Sequence, residues 1–395
     1  MQSRYTGSVA HRVAVQLIER IHASPCRLVV TVAGGGAGAI SALLEVPGAS
    51  RTVLEAVVPY CEAAMIAWLH ARPDQFCCEP TARAMAMAAY CRACQYAEAD
   101  RPGELGCTGP LAGVACTASL ATDRPKRGSH RIHVAFQTAS ATVARSVELL
   151  KGHRTRSQEE HLAAGMVLNA VAEACGLEER LAMDLHPDEH LVEARAEAPQ
   201  AWQDLLAGRV LLVRHGGLHS RRTAERPGCV VFPGAFNPLH SGHRRMAEIA
   251  QAKLGAPVEF EICMFNVDKP PLDFIELQRR TSQFEPSQTV WLTRAPTFEQ
   301  KSALFPGATF VVGTDTLRRI ADPRYTGGTQ GAWLAALERI AERGCRFLVF
   351  GRMHEGRFVT LDDLELPPML RTLCQSVPAD EFREDICSTW LRQPT

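Results

Sequence analysis

Cys229-Val230-Val231-Phe232-Pro233-Gly234-Ala235-Phe236-Asn237-Pro238-Leu239-His240-Ser241-Gly242-His243 is the stretch on which the fold of the second half of this 395-residue chain turns. Residues Cys229 to Phe232 form a short apolar run that predicts a buried strand, and the Pro/Gly-rich segment from Pro233 to His243 predicts a loop. A helical pattern from Arg244 to Leu254 follows, closed by Gly255, and Val258 to Phe265 supplies the next strand. Strand, loop, helix and strand make a Rossmann-like half with a right-handed crossover. Thr309 to Val312 and Phe347 to Phe350 predict two further buried strands of a parallel sheet. Ligands of such sheets bind outside the carboxyl ends of the strands, which is where the loop from Pro233 to His243 falls.

His240 and His243, separated by Ser241 and Gly242, stand where the predicted helix begins. Backbone N–H groups and the positive end of the helix dipole point there at whatever docks, and phosphate is the natural guest. Each imidazole can donate a hydrogen bond to a phosphate oxygen, and Gly242 lacks the side chain that would block close backbone approach. A lone His-x-x-His reads as two surface histidines. The glycine-led loop, the preceding strand and the following helix turn this pair into a phosphate site.

Upstream, helix and strand patterns alternate. Val13, Leu17, Ile18 and Ile21 share one face of a helix that Ser8 is placed to cap, and Arg27 to Val32 reads as a buried strand before the glycines at 34, 35, 36 and 38 and a second helix. Pro80 to Glu98 reads as a long Ala/Met-rich helix, Gly103 to Thr117 as a Gly/Thr-rich loop, Arg131 to Phe136 as a strand, and Ser157 to Cys175 as a helix ending at Gly176. The pattern is that of a layered α/β domain. The whole chain is therefore expected to be α/β with two domains, residues 1–200 and 228–395, joined by a linker over 201–227.

Composition bounds the partners. Forty-three Lys+Arg balance forty-three Asp+Glu, so no net field recruits nucleic acid or an anionic membrane surface. The most apolar run, Leu28 to Leu44, is shorter than the ~18–20 residues that span a bilayer and is broken by glycines. Fourteen scattered cysteines behind a polar N-terminus predict reduced thiols and the cytoplasm, with the nucleus as the other compartment free of export signals. Cys91 and Cys94 form a Cys-x-x-Cys on a helix without a second pair, so they read as buried apolar residues, and no metal site is expected. Assembly into a homo-oligomer is left open.

The loop with His240 and His243 resembles the one that defines the HxGH nucleotidyltransferase superfamily, which includes nicotinamide mononucleotide adenylyltransferases, phosphopantetheine adenylyltransferase and the cytidylyltransferases. Ile386-Cys387-Ser388-Thr389-Trp390-Leu391-Arg392 is similar to that family's I-S-S-T-x-x-R segment, with Cys387 in place of the first Ser. Val311-Val312-Gly313-Thr314-Asp315-Thr316-Leu317 resembles the G-x-D element of the dinucleotide-forming members, and Phe350-Gly351-Arg352 follows a strand as their R-x-G element does.

The resemblance implies ATP-dependent adenylyl transfer to nicotinamide or nicotinate mononucleotide, with Mg²⁺ bridging phosphate oxygens. His240, His243, Lys269 and Arg392 are then the expected catalytic residues. Gly234, Ala235, Phe236, Asn237, Gly242, Gly313, Asp315, Arg352, Ser388 and Thr389 are the expected nucleotide-binding ones. Arg279 and Arg280 read as a solvated helix face that could also meet phosphate. The family's pyridine-stacking Trp is missing after the G-x-D element, where Tyr325 is the next aromatic and Trp333 lies further on. Transfer from ATP or CTP to another phosphorylated acceptor, and a nucleotide sensor without turnover, stand as alternatives.

Residues 8 to 178 resemble the CinA C-terminal, or nicotinamide-nucleotide amidase, family. Thr31 to Ser50 is similar to its E-S-C-T-G-G…V-P-G-S-S segment, Val57 to Met65 to its V-x-Y-S-N-x-x-K, and Leu105-Gly106-Cys107-Thr108-Gly109 to its L-G-V-T-G. The nucleophilic Ser of that family falls on Ala33, its Thr on Gly35 and its Lys on Met65. Only Thr108 remains of the polar set. Without a hydroxyl or thiol at position 33, covalent amide hydrolysis has no nucleophile, so this domain is expected to be inactive as an amidase.

Overall fold

The computed structural model describes residues 9–100, 109–124, 126–216, 228–266, 269–325, 328–354 and 356–383. The chain forms two compact units, one comprising Met1–Gln203 with Asp268–Glu276 and the other Asp204–Val267 with Leu277–Thr395.

The first unit contains α1 (Val9–Ala23), β1 (Arg27–Ala33), α2 (Ala37–Glu45), β2 (Val53–Val57), α3 (Glu62–Leu69), α4 (Glu79–Asp100), β3 (Leu111–Ser119), β4 (His130–Thr138), β5 (Ala141–Leu149), α5 (Arg156–Ala174) and β6 (Val192–Glu197). Its six-stranded sheet has the order β2-β1-β3-β4-β5-β6. β1 runs parallel to β2 and β3, and the remaining pairs are antiparallel. Leu17, Ile18, Leu43, Leu162 and Val167 of α1, α2 and α5 pack on one face, with Met65, Leu69, Met85 and Ala86 of α3 and α4 on the other. Thr155 starts α5 with a capping box, its side chain accepting from the Gln158 N–H while Gln158 reaches back to the Thr155 backbone.

Two expectations change here. Leu111 to Thr117, anticipated as loop, is most of β3 and one of the most buried strands in the sheet. Its small residues are there because α4 presses on them: a Cβ on Gly113 would lie 2.1 Å from Tyr90 N and 2.2 Å from Ala86 O. Residues 268–276, anticipated as part of the second domain, belong to the first unit. Asp273, itself buried, meets the buried Arg83 at 2.5 Å, and the Phe274 N–H donates to Thr142 Oγ1 at 3.0 Å. Leaving either charge of that pair unpaired in the interior would cost several kcal/mol, roughly 3–5 by comparison with broken buried pairs elsewhere.

The stretch 201–227, anticipated as linker, carries structure. It includes most of α6 (Gln200–Leu206) and all of β7 (Leu212–His215), an antiparallel edge strand of the second sheet.

The second unit continues with β8 (Val230–Pro233), α7 (Ser241–Leu254), β9 (Val258–Cys263), α8 (Phe274–Thr281, its first three residues counted in the first unit), β10 (Val290–Thr293), α9 (Phe298–Leu304), β11 (Thr309–Gly313), α10 (Thr314–Ile320), α11 (Gln330–Glu342), β12 (Arg346–Phe350), the hairpin β13 (Arg352–His354) and β14 (Arg357–Val359), α12 (Pro368–Thr372) and β15 (Cys374–Ser376). The seven strands of its main sheet lie in the order β15-β12-β11-β8-β9-β10-β7. Leaving out the antiparallel β7, all pairs are parallel. In chain order the six parallel strands read 3-2-1-4-5-6 across the sheet, the doubly wound arrangement. Chain direction across the sheet reverses at β8, which has β9 on one side and β11 on the other, so the ligand crevice of such a sheet opens at the carboxyl ends of β8 and β11.

Candidate functional site

The loop after β8 occupies that crevice. Its first residue, Gly234, is required by packing: a Cβ there would lie 2.5 Å from Phe236 Cζ. Phe236 takes a left-handed φ of 44°, an uncommon conformation for a bulky residue that surrounding contacts must hold, and the Asn237–Pro238 bond is cis. The Phe236 ring is 1% exposed, edge-on to Phe232 and Phe260, with its own neighbour His243 at 5.1 Å between centroids. Gly255 ends α7 with a φ of 63°, as its position after Leu254 predicts.

His240 is the N-cap of α7 and His243 its third residue. The two imidazoles stack at 3.7 Å with an interplanar angle of 29°. His243 Nδ1 accepts from the His240 backbone N–H at 3.3 Å, so in the neutral ring the proton sits on Nε2, which is left as a donor. His240 is buried, and among the described residues neither of its ring nitrogens has a hydrogen-bond partner. Buried polar atoms without partners are rare, and they mark places where a ligand or water completes the structure.

Two further elements face the pair. Gly313 ends β11, and a Cβ on it would lie 2.6 Å from Asp315 Oδ1 and 3.3 Å from Arg352 Nε. Arg352, in the hairpin after β12, pairs with Asp315 at 3.5 Å. Burial pushes the His243 pKa down to about 3, with the charges of His240 and Arg352 adding to the effect. The pKa of His240 is lowered too, by burial first and then by Arg352. Both rings are therefore neutral near pH 7, beside the fixed positive charge of Arg352.

Acid sensitivity follows from His243. In the unfolded chain this histidine takes up its proton near 6.5, whereas in the fold it does so only near 3. Between those values the unfolded state binds more protons, so stability is full above about 6.5 and is lost as pH falls toward 3. Thermal unfolding of the full chain at pH 7 and pH 4.5 is expected to show this drop, and His243→Gln to make it smaller. An undiminished drop in the variant would contradict the assignment.

The structure brings together His240, His243, Gly234, Ala235, Phe236, Asn237, Gly242, Gly313, Asp315 and Arg352. Lys269 is exposed and falls in the segment counted with the first unit. Ser388, Thr389 and Arg392 lie outside the described residues, as do Ser8 and Thr108. Arg279 and Arg280 are not a free helix face, since Arg280 donates to Ala235 O at 2.9 Å and Arg279 bonds the Asn237 side chain. Trp333 is a core residue whose indole N–H donates to Ile320 O at 2.9 Å, which leaves Tyr325 as the half-buried aromatic of that region.

In the first unit the glycine turn between β1 and α2 is already filled by the chain itself. Glu160 of α5 puts one carboxylate oxygen 2.9 Å from Gly36 N and the other 3.1 Å from Gly38 N, while Arg156 donates to Gly34 O at 2.9 Å. Ala33 ends β1 with 6% exposure, and Met65 is buried in the apolar core. A cavity of about 420 Å³ remains beside the turn, walled by Gly35, Val58, Tyr60, Ser157 and Glu160 among others. Glu160 is 122 residues from Gly38, so no local pattern reveals the contact. Glu160→Ala removes two charge-assisted bonds and is expected to destabilise the protein by about 1.5–3 kcal/mol, seen as a lower urea midpoint.

Among the described residues no helix is long and apolar enough to cross a membrane. No protein-family model and no curated protein matches the chain. Solved structures do match. A competence-damaged protein (CinA) superfamily member from Klebsiella pneumoniae is 13% identical and covers 43% of this chain and 99% of its own, with a TM-score of 0.32. One from Escherichia coli is 16% identical over 45% of this chain and 91% of its own, with a TM-score of 0.29. A competence/damage-inducible protein from Agrobacterium tumefaciens is 18% identical over 43% of this chain and 93% of its own, with a TM-score of 0.30.

Proposed function

We propose that the second unit transfers the adenylyl group of ATP to nicotinamide or nicotinate mononucleotide, giving the dinucleotide and pyrophosphate. The observation that carries this reading is His240: a buried imidazole with both nitrogens unpartnered among the described residues, stacked on a second imidazole at a helix start, at the switch point of a doubly wound sheet. A phosphate oxygen of the acceptor attacks the α-phosphorus in line. The new P–O bond forms as the bond to the β-phosphate oxygen breaks, and pyrophosphate leaves with that electron pair.

Such a transfer needs little covalent help, so positioning and charge stabilisation dominate. His240 and His243 donate to α- and β-phosphate oxygens as negative charge grows there, in the manner of an oxyanion hole. Arg352 adds a fixed positive charge, and Asp315 accepts from a ribose or base. ATP arrives as its Mg²⁺ complex, whose charge offsets that of the phosphates. Phosphate oxygens and water would hold that Mg²⁺, which would supply positive charge at the phosphates. Lys269, Ser388, Thr389 and Arg392 are assigned to the acceptor phosphate and the departing pyrophosphate on the resemblance alone. The first unit, with Ala33 at the nucleophile position and Glu160 in the glycine turn, is proposed to release no ammonia from nicotinamide mononucleotide.

Incubation of the full chain with Mg²⁺, ATP or CTP, and a panel of acceptors tests the proposal. Pyrophosphate is expected with ATP and a pyridine mononucleotide. Pyrophosphate only with CTP, or only with phosphopantetheine or a phosphoalcohol, would replace it with one of the other transferases. Nucleotide binding with no product would favour a sensor.

A further inference from the structure

The segment from Gly234 to Leu239 has no helix or strand structure of its own, yet it has to present His240 in one orientation. Beside the bonds of Arg279 to Asn237 and of Arg280 to Ala235, the turn just after α8 holds it. Gln283 Nε2 donates to Phe236 O at 2.9 Å, and Gln283 Oε1 accepts from the Leu239 N–H at 2.8 Å. The two partners settle which way the amide points, since only its nitrogen can donate to a carbonyl and only its oxygen can accept from an N–H. One side chain thus ties together the residues on either side of Asn237–Pro238. Leu239 directly precedes His240, and the His240 N–H is in turn held by His243 Nδ1 at 3.3 Å. The adjacent residue works on the same target from below: the Phe284 ring meets Phe236 edge-on at 5.4 Å, and Phe236 borders His243 at 5.1 Å.

We infer that Gln283 is a positioning residue that fixes the histidine pair by clamping the loop backbone on both sides of Pro238. Gln283 reaches only loop groups and the Arg280 carbonyl among the described contacts, so it acts through the loop and not on the reacting atoms. The left-handed Phe236 adds to the need for such a clamp, because its conformation persists only where neighbours over-determine it. The inference rests on the reading of the pair as the transfer site, and its test includes a readout independent of turnover.

Gln283→Met keeps the volume and removes both hydrogen bonds, while Gln283→Glu keeps the acceptor for Leu239 and loses the donor to Phe236. In the full chain, NMR titration of histidine-labelled protein follows both imidazoles. With Gln283→Met, water reaches the loosened pair, and the protonation midpoint of His243 is expected to rise from about 3 toward 6.5. Turnover is expected to fall on the order of 10²-fold, as a small misplacement costs, with little change in KM for ATP. Gln283→Glu should show a smaller loss. An unchanged titration in folded Gln283→Met would overturn the inference, whatever turnover does, and so would unchanged turnover. If the unmodified protein makes no dinucleotide, the functional reading fails while the titration still decides the clamp. Should Gln283→Met not fold, Gln283→Glu carries both measurements.

Discussion

His240→Ala is expected to lower turnover on the order of 10²–10³-fold while leaving the fold at least as stable. The catalytic loss is that of a donor aimed at charge that develops in the transition state, about 2.7–4 kcal/mol. The stability side has the opposite sign from most core substitutions. His240 is 8% exposed and neither ring nitrogen is satisfied among the described residues, so the native state bears the cost of burying two polar atoms without a partner there. Removing them relieves a penalty of order 1–3 kcal/mol, against which stands the lost packing on His243. A residue kept in the free protein at such a cost is one retained for its ligand. The check is paired: steady-state turnover and the thermal midpoint of the same preparation. Turnover within a few-fold of the parent would remove His240 from the mechanism. A large fall in midpoint would make it a structural residue instead.

The second large effect lies beneath the loop. Glu261 of β9 is 1% exposed, its backbone carbonyl accepts from the Gly234 N–H at 2.9 Å, and its carboxylate meets Lys301 Nζ of α9 at 2.7 and 2.8 Å. The Thr293 hydroxyl donates to the same carboxylate. Lys301→Met leaves this carboxylate buried without its cation and is expected to destabilise by about 3–5 kcal/mol. Adding Glu261→Gln removes the stranded charge, so the double variant should recover most of that loss. Urea unfolding of the single and double variants measures the coupling. Additive losses would mean that the pair is not coupled as its geometry implies.

Much of the second sheet is legible in the sequence because its strands are continuous apolar runs bounded by glycine and proline. Val230–Pro233, Thr309–Gly313 and Arg346–Phe350 each fall within one or two residues of expectation. The short strands are not legible in this way. Cys374–Ser376 is three residues long, and Val290–Thr293 lies between loops with no alternation to expose it. β3 escapes for a different reason: Leu111-Ala112-Gly113-Val114-Ala115-Cys116-Thr117 has the composition of a loop, and only the approach of α4 explains why small residues belong in a buried strand. In the site, the histidines and Gly313, Asp315 and Arg352 are visible as motifs. Gln283, Glu160 and the Glu261–Lys301 pair act across 44, 122 and 40 residues respectively, and a contact at that separation leaves no mark on local pattern.

The most direct measurement is mass spectrometry of the product formed by the full chain from ATP, Mg²⁺ and nicotinamide mononucleotide, run beside an equal reaction with CTP. The proposed transfer predicts the adenine dinucleotide with ATP, stoichiometric pyrophosphate, and initial rates of both lower on the order of 10²–10³-fold in His240→Ala. Pyrophosphate without the dinucleotide, a product only from CTP, or undiminished product in His240→Ala would contradict it.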